Sequence, residues 1–519
     1  MKKVLPLIFI ILSSIFLVSS GYSQVAPTTL VYGRGSDSIG LDAAQEEDGE
    51  SFLVCESIYD ALVQYKQDSA GIEPALAESW DTSEDGLVWT FHLRRGVKFH
   101  DGTDFNADAV LFSYNRQREE NHPFHNVGKT YIYWNDLGMN DIIGNIEAVD
   151  GFTVRITLKR SYAPFINVMA IPPFNIVSPT AVKKWREEFT SHPVGTGPFK
   201  FVSWARNDRI VLEANPTYWG GKPNVQRLIF RTIPESPVRL LELQKGNIHI
   251  IEFPNPDELD IIRGDKNLTL LEVAGINVGY VAMNCKQKPF DNRKVRLAVN
   301  HAINKQSLVD NLYRGLGIVA KNPIPPTVWG YDDSIQDFTY DPKLAKQLLK
   351  EAGYLNGFST TLWQMPNPRP YFPDPASIVV QIQSDLKKVG IDAKIETREW
   401  GKYLEEVRAG THNMAMLGWM ADFVDPDNFL YTLFEPDSTQ NIAFYRNEKL
   451  RDILVTAQKT TDHAKRVQLY KEAQRIIHED APWVCIAHAK QVAVISKKVK
   501  GYILNPITWK HLWRAQIER

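Results

Sequence analysis

Asn413–Asn428, NMAMLGWMADFVDPDN, decides how the rest of the chain is read. Met414 to Trp419 is a short, unbroken apolar run, the pattern of a strand buried on both faces. It turns acidic at its carboxyl end, where open α/β sheets bind their ligands. Asp422, about one turn beyond Trp419, is therefore expected at the mouth of a cleft. Asp425 and Asp427 have a local explanation. Asp-Pro-Asp ahead of Asn428-Phe-Leu-Tyr431 predicts an N-cap, a proline at the first helical position and an acid in the first turn. Asp422 has no such task.

Outward from this stretch, strands and helices alternate. Val278 to Met283 reads as a hydrophobic strand, and Asn292 to Tyr313 as one amphipathic helix burying Val295, Ala298, Leu308 and Leu312. Pro342 to Ala352 and Ala376 to Val389 predict helices, the latter stopped by Gly390. Thr360 to Met365 and Ile391 to Ile395 predict strands, and Trp400 opens a further helix. The succession argues for a largely parallel sheet covered on both faces, with Arg369 and Asp422 at strand carboxyl ends.

The chain of 519 residues is too long for one core, so two or three lobes are expected. With 44% hydrophobic and 23% charged residues and a net charge of −2, it lacks the basic excess that nucleic acid requires. Lys2-Lys3, the apolar Val4 to Val18 and Ser19 to Ser23 form the three regions of a secretory signal, with cleavage expected after Ser23. The apolar run is shorter than a membrane span, and no cysteine follows it to accept a lipid. Cys55, Cys285 and Cys485 are widely spaced, odd in number and set in apolar sequence, which reads as small buried hydrophobes rather than a metal or redox pair.

Nearer the amino terminus, Thr29 to Gly33 predicts a strand, and the loop Arg34 to Gly40, with Ser36, is a candidate for lining a ligand site. Trp89, Phe91 and Leu93 alternate as a half-buried strand, with Val97 to Phe99 returning as a hairpin arm. His100-Asp101 has the makings of a general base, but its turn context favours scaffolding. His122 and His125 lack a third metal ligand. Gly195-Thr-Gly197 leads into a strand instead of a helix N-terminus, so it forms no phosphate cradle. Gly315 to Ala320 fails as a dinucleotide fingerprint because it follows a helix. The aromatic tail, Gly501 to Arg519, is expected to pack on the first lobe.

Several stretches resemble the solute-binding proteins of peptide and nickel ABC importers (family 5). Asp85 to Ser113 is similar to the family signature, and Pro193 to Phe199, Asn277 to Arg296 and Tyr340 to Gly353 match further blocks. Asn322 to Tyr331, Arg369-Pro-Tyr371, Glu399-Trp-Gly401 and Gly418-Trp419 with Asp422 resemble the dipeptide-binding members. Those members often carry a cysteine-bearing insertion where Glu435 to Tyr445 is short.

The resemblance implies an α/β, two-lobed periplasmic binding protein fold of class II, with an extra subdomain in the first lobe, mixed sheets and a cleft between lobes. The divisions expected are a signal peptide, 1–23; a lobe I core, 24–57, 189–276 and 493–519; the extra subdomain, 58–188; and lobe II, 277–492. It implies a periplasmic, monomeric binding protein without cofactor or metal. Its partners are a dipeptide and the permease subunits of an ABC importer, with no nucleic acid.

By resemblance, Arg369 pairs with the ligand carboxylate and Asp422 with its amine, while Tyr371, Trp400, Trp419, Gly418 and Ser36 complete the site. A dipeptide is a zwitterion with ends roughly 6–7 Å apart, so one fixed cation and one fixed anion measure it. The same scaffold is compatible with an oligopeptide, haem, glutathione or a nickel complex. A periplasmic hydrolase would need HExxH, GxSxG or clustered histidines, which the sequence lacks.

Overall fold

A computed structural model describes residues 28–69, 71–507 and 509–518. The predicted signal segment lies outside the described residues. Three large sheets organise the chain. A seven-stranded sheet runs in the order Leu268–Val273, Gln491–Ser496, Ile250–Glu252, Thr29–Arg34, Arg227–Thr232, Arg209–Ala214 and Phe199–Ala205. A four-stranded antiparallel sheet runs Ala77–Thr82, Val88–Leu93, Thr153–Leu158 and Ile143–Asp150. It lies within the stretch expected to form the extra subdomain. A six-stranded sheet is built from Gly317–Val319, Trp483–Ala489, Asn277–Met283, Met414–Met420, Phe358–Gln364 and Ile391–Thr397, in that order.

The fold is mixed α/β and two-lobed, with one core under the six-stranded sheet and another under the seven-stranded sheet. The six-stranded sheet corrects one expectation, because it is mixed rather than largely parallel. Met414–Met420 is parallel to Phe358–Gln364, which is parallel to Ile391–Thr397. On its other side Met414–Met420 runs antiparallel to Asn277–Met283, and that half of the sheet stays antiparallel. Strand–helix alternation reveals that strands are buried, but the direction of each pair depends on how the connection crosses the sheet.

Other corrections are local. The helix expected over Asn292 to Tyr313 is two, Arg293–Ala302 and Lys305–Leu312, because Asn304 at the break caps the second by accepting from the Ser307 N–H. Val97 to Phe99 is not a hairpin arm. Val88–Leu93 pairs with Ala77–Thr82 and Thr153–Leu158, while Phe99 and Thr103 close a tight loop of their own. His100 is scaffolding: its Nε2 meets the Gly197 carbonyl at 2.9 Å, and burial lowers its pKa to about 4. Gly195 and Gly197 let backbones touch, since a Cβ on Gly195 would stand 2.2 Å from the Ile58 oxygen. The tail docks where expected, with Asn505 on the Lys66 and Gln67 carbonyls and the Trp513 ring on Tyr218. Cys55, Cys285 and Cys485 are free.

The seven- and six-stranded sheets are joined by two crossings, Val273 to Asn277 and Ala489 to Gln491. The fully buried Asn277 ties them together. Its side-chain amide donates to the Ala489 carbonyl at 2.8 Å and its side-chain oxygen accepts from the Ala489 N–H at 2.9 Å. Gly275 lets the strands approach, because a Cβ there would fall 2.2 Å from the Ala489 oxygen.

Beyond Met414–Met420 the chain enters the helix Asp427–Phe434. Asp425 stands one residue further from this helix than an N-cap would, yet its carboxylate still accepts from the Asp427 N–H at 3.0 Å. It also pairs with Arg466 at 2.8 Å, and both residues are buried. Removing one partner of a buried pair strands the other charge. Arg466→Met is expected to destabilise the protein by ~3–5 kcal/mol, read as a lowered denaturation midpoint in urea at constant slope.

Candidate functional site

The site grows from three neighbouring parallel strands. Because Met414–Met420, Phe358–Gln364 and Ile391–Thr397 are parallel, their carboxyl ends share one edge of the sheet. Asp422, Arg369 and Trp400 follow those three ends in turn. This is the crevice position at which open sheets bind ligands.

Arg369 stands in a tight turn. Its N–H donates to the Phe372 carbonyl at 3.0 Å and its carbonyl accepts from the Phe372 N–H at 2.9 Å, with Pro370 and Tyr371 at the corner. The Tyr371 ring lies flat on the neighbouring strand at Gly418, where a Cβ would fall 2.2 Å from Cδ2 of the ring. The Tyr371 carbonyl accepts from the Tyr313 hydroxyl at 2.7 Å. Gly418 therefore makes room for the aromatic that fixes the arginine turn. The guanidinium of Arg369 stands over Trp400 at 5.0 Å, a cation–π arrangement, and Trp400 stacks on Tyr403. Among the described residues Arg369 makes no ion pair and its side chain donates no hydrogen bond.

Asp422 is held by neutral donors. The Tyr133 hydroxyl donates to its Oδ1 at 2.8 Å, and the Asn428 amide approaches Oδ2 at 3.4 Å. Asn428 is itself oriented, since its Oδ1 accepts from the Trp419 indole at 3.0 Å and from the Asp422 N–H at 3.1 Å. Trp419 thus acts on Asp422 through Asn428. Asp422 retains partial solvent contact, but the surrounding protein strips most of its hydration. That desolvation pushes its pKa up to about 6, while the bonds from Tyr133 and Asn428 work to lower it. No cation lies within ion-pairing distance of it among the described residues.

Sequence reasoning missed Tyr133, Asn428 and Glu50. Tyr133 comes from the segment expected as the extra subdomain, 289 residues away in sequence, so no local pattern could link it to Asp422. Asn428 was in the quoted stretch but read as helix. Glu50, in the first turn of Gly49–Ile58, is pushed up to about 7 by burial, opposed by Arg34 and by Arg369. Ser36 is exposed, and no contact joins it to Arg369 or Asp422. Further contacts join segments expected in different lobes at Arg408–Glu47, 3.9 Å, and Gln440–Asp136, 3.4 Å. Among the described residues no cluster of His, Cys, Asp or Glu is placed to hold a metal ion, and no helix is long and apolar enough to cross a membrane.

Among the described residues, Asp422, stripped of most of its hydration, and Arg369 each stand beyond a strand end without an ion-pair partner. Comparison with known proteins agrees with a binding role. Residues 71–441 match the model of bacterial extracellular solute-binding proteins, family 5, and the chain belongs to that family. It is 40% identical to the dipeptide-binding protein of Escherichia coli (strain K12) over 96% of both chains. It is 39% identical to heme-binding protein A of Haemophilus influenzae, covering 94% of this chain and 92% of that one. The ABC transporter-associated periplasmic binding protein DppA of Helicobacter pylori, solved with the peptide STSA, superposes with a TM-score of 0.88 at 41% identity, covering 95% and 99% of the two chains. Relatives and fold are those of solute-binding proteins of ABC transporters, not of enzymes.

An acid whose folded pKa is raised favours the folded state below its unfolded pKa of about 4, and that contribution is lost as pH rises through about 6. At pH 7 the Asp422 carboxylate therefore destabilises the free protein. Asp422→Asn is expected to raise the melting temperature of unliganded protein at pH 7 by about 2 °C and to leave it unchanged at pH 4, checked by calorimetry.

Proposed function

We propose that this family 5 solute-binding protein captures dipeptides in the periplasm and hands them to the permease of an ABC importer. The supporting observation is the pair of uncompensated charges on adjacent strand ends: Arg369 on Trp400 without an anion, and Asp422 among hydroxyl and amide donors without a cation. A zwitterion completes both. Arg369 offers its planar fork to the ligand carboxylate, and Asp422 accepts from the ligand ammonium. Tyr371, Trp400 and Trp419 wall the cleft, with Gly418 giving Tyr371 its place. Recognition then rests on the termini, which every dipeptide shares, so side-chain selectivity is loose.

The Tyr133 bond gives this reading a closure step. Tyr133 and Asp422 come from segments expected in different lobes, so their 2.8 Å contact forms when the cleft shuts. A ligand that satisfies Asp422 and Arg369 stabilises the shut form, which the permease recognises. Periplasmic location follows from the predicted signal segment and from the relatives.

Titration calorimetry with Met-Leu tests the assignment. Arg369→Ala and Asp422→Ala each leave one ligand charge buried and unpaired, costing ~3–5 kcal/mol, so affinity is expected to fall by roughly two to four orders of magnitude. Unchanged affinity in both variants refutes it. The tetrapeptide STSA and haem, run in parallel, separate a dipeptide receptor from its alternatives.

The same titration is pH-dependent. The ligand ammonium needs an ionised Asp422, so affinity holds near pH 7 and falls by up to about tenfold per unit below pH 6. A profile flat to pH 5 would exclude a carboxylate–ammonium contact.

A further inference from the structure

Asp422 is not the only point at which the extra subdomain meets the loop that carries it. Gln458, near the end of the helix Glu448–Lys459, is 2% exposed and hydrogen-bonds three residues of two other segments. Its amide nitrogen donates to Asp427 Oδ2 at 3.0 Å. Its side-chain oxygen accepts from Arg160 Nη2 at 3.2 Å, and its backbone carbonyl accepts from the Ala163 N–H at 2.8 Å. Arg160 and Ala163 follow the Thr153–Leu158 strand of the four-stranded sheet. Asp427 opens the helix that also carries Asn428, the residue holding Asp422. One buried amide therefore joins the subdomain to the base of the ligand loop.

The surroundings show a fitted junction. A Cβ on Gly86, in the turn before Val88–Leu93, would stand 3.2 Å from both Ser161 Oγ and Thr461 Cγ2. The Tyr65 hydroxyl accepts from the Val424 N–H at 3.3 Å, again between the subdomain segment and the ligand loop. Apolar burial is continuous here, with Phe91 and Phe165 in the same core cluster as Phe423 and Phe429. The core of the seven-stranded sheet forms a separate cluster.

We infer that Gln458 is a positioning residue that couples seating of the extra subdomain to the geometry of the 421–428 loop, and so to ligand affinity. This rests on the reading that Asp422 holds the ligand ammonium. A chain split between two lobes could leave the ligand loop indifferent to the subdomain, whereas a shared amide makes each require the other.

Hydrogen–deuterium exchange of the full chain, with and without 5 mM Met-Leu, tests the coupling through Arg160→Met, which removes the subdomain's side-chain bond to Gln458 and, with it, a charge that acts on Asp427. Amides of 422–430 are expected to exchange at least threefold faster in the variant, together with Ala163, in one or both conditions. A change confined to 160–166, or none, overturns the inference. In calorimetry with Met-Leu, Gln458→Leu and Arg160→Met are each expected to weaken binding about five- to tenfold. The double variant should be no weaker than the worse single, and fully additive losses overturn the coupling. If Gln458→Leu fails to fold, Arg160→Met decides alone. Wild-type protein that ignores Met-Leu defeats the dipeptide reading, while the exchange experiment still decides the coupling.

Discussion

An ionised carboxylate in a desolvated crevice, offered a phenol and an amide but no cation, is the constraint around which this molecule is arranged. Left to itself it takes up a proton near pH 6 or draws in water. Beyond the neighbouring strand end stands Arg369, its guanidinium over the indole face of Trp400 and acting on the Glu50 carboxyl. Neither can relieve the other, because each is fixed to its own strand end by a turn with its own hydrogen bonds. Asp422 thus holds its charge against desolvation, and a ligand ammonium beside it would lower the free energy of that charge. Family membership says that the chain is a solute-binding protein, and the charge at Asp422 is what supports the zwitterionic ligand proposed above.

Keeping two charges unsatisfied requires a scaffold stiff enough to resist collapse of one onto the other. Tyr371 lies against a glycine on the adjacent strand and is pinned by Tyr313. On the Asp422 side, Asp425 and Asp427 anchor the loop to Arg466, Tyr470 and Gln458 in a buried network. These two acids share a region with Asp422 but serve opposite ends. They share the cation Arg466, so they fix the chain, whereas Asp422 meets only neutral donors and is the one proposed to face the ligand.

Much of this was legible in the sequence, for definite reasons. The apolar run at Met414 and its acidic exit mark a buried strand opening on a cleft, and Arg369 and Trp400 likewise follow the ends of predicted strands. Parallel or antiparallel direction was not legible, because hydrophobic period is the same in both. The helix break at Asn304 escaped because the apolar spacing continues across it, and only the capping geometry of Asn304 shows the interruption. Tyr133, Glu50 and Gln458 act through contacts made across long sequence separations, which no window along the chain records. Ser36 was legible only as a loop position: it stands exposed after its strand, with no contact to Arg369 or Asp422.

The amide of Asn277 gives the pivot between the two halves an unusual character. Two separate strands of chain could flex independently, so that the halves would slide and twist as well as swing. Buttoned to each other by a reciprocal pair of hydrogen bonds, they behave as one flat strap, stiff edgewise and pliant across its face. Such a strap permits swinging about one line and resists shear. Asn277 also lies opposite Met420, two residues before Asp422, so the strap is fastened beside the very loop whose carboxylate meets the phenol of Tyr133.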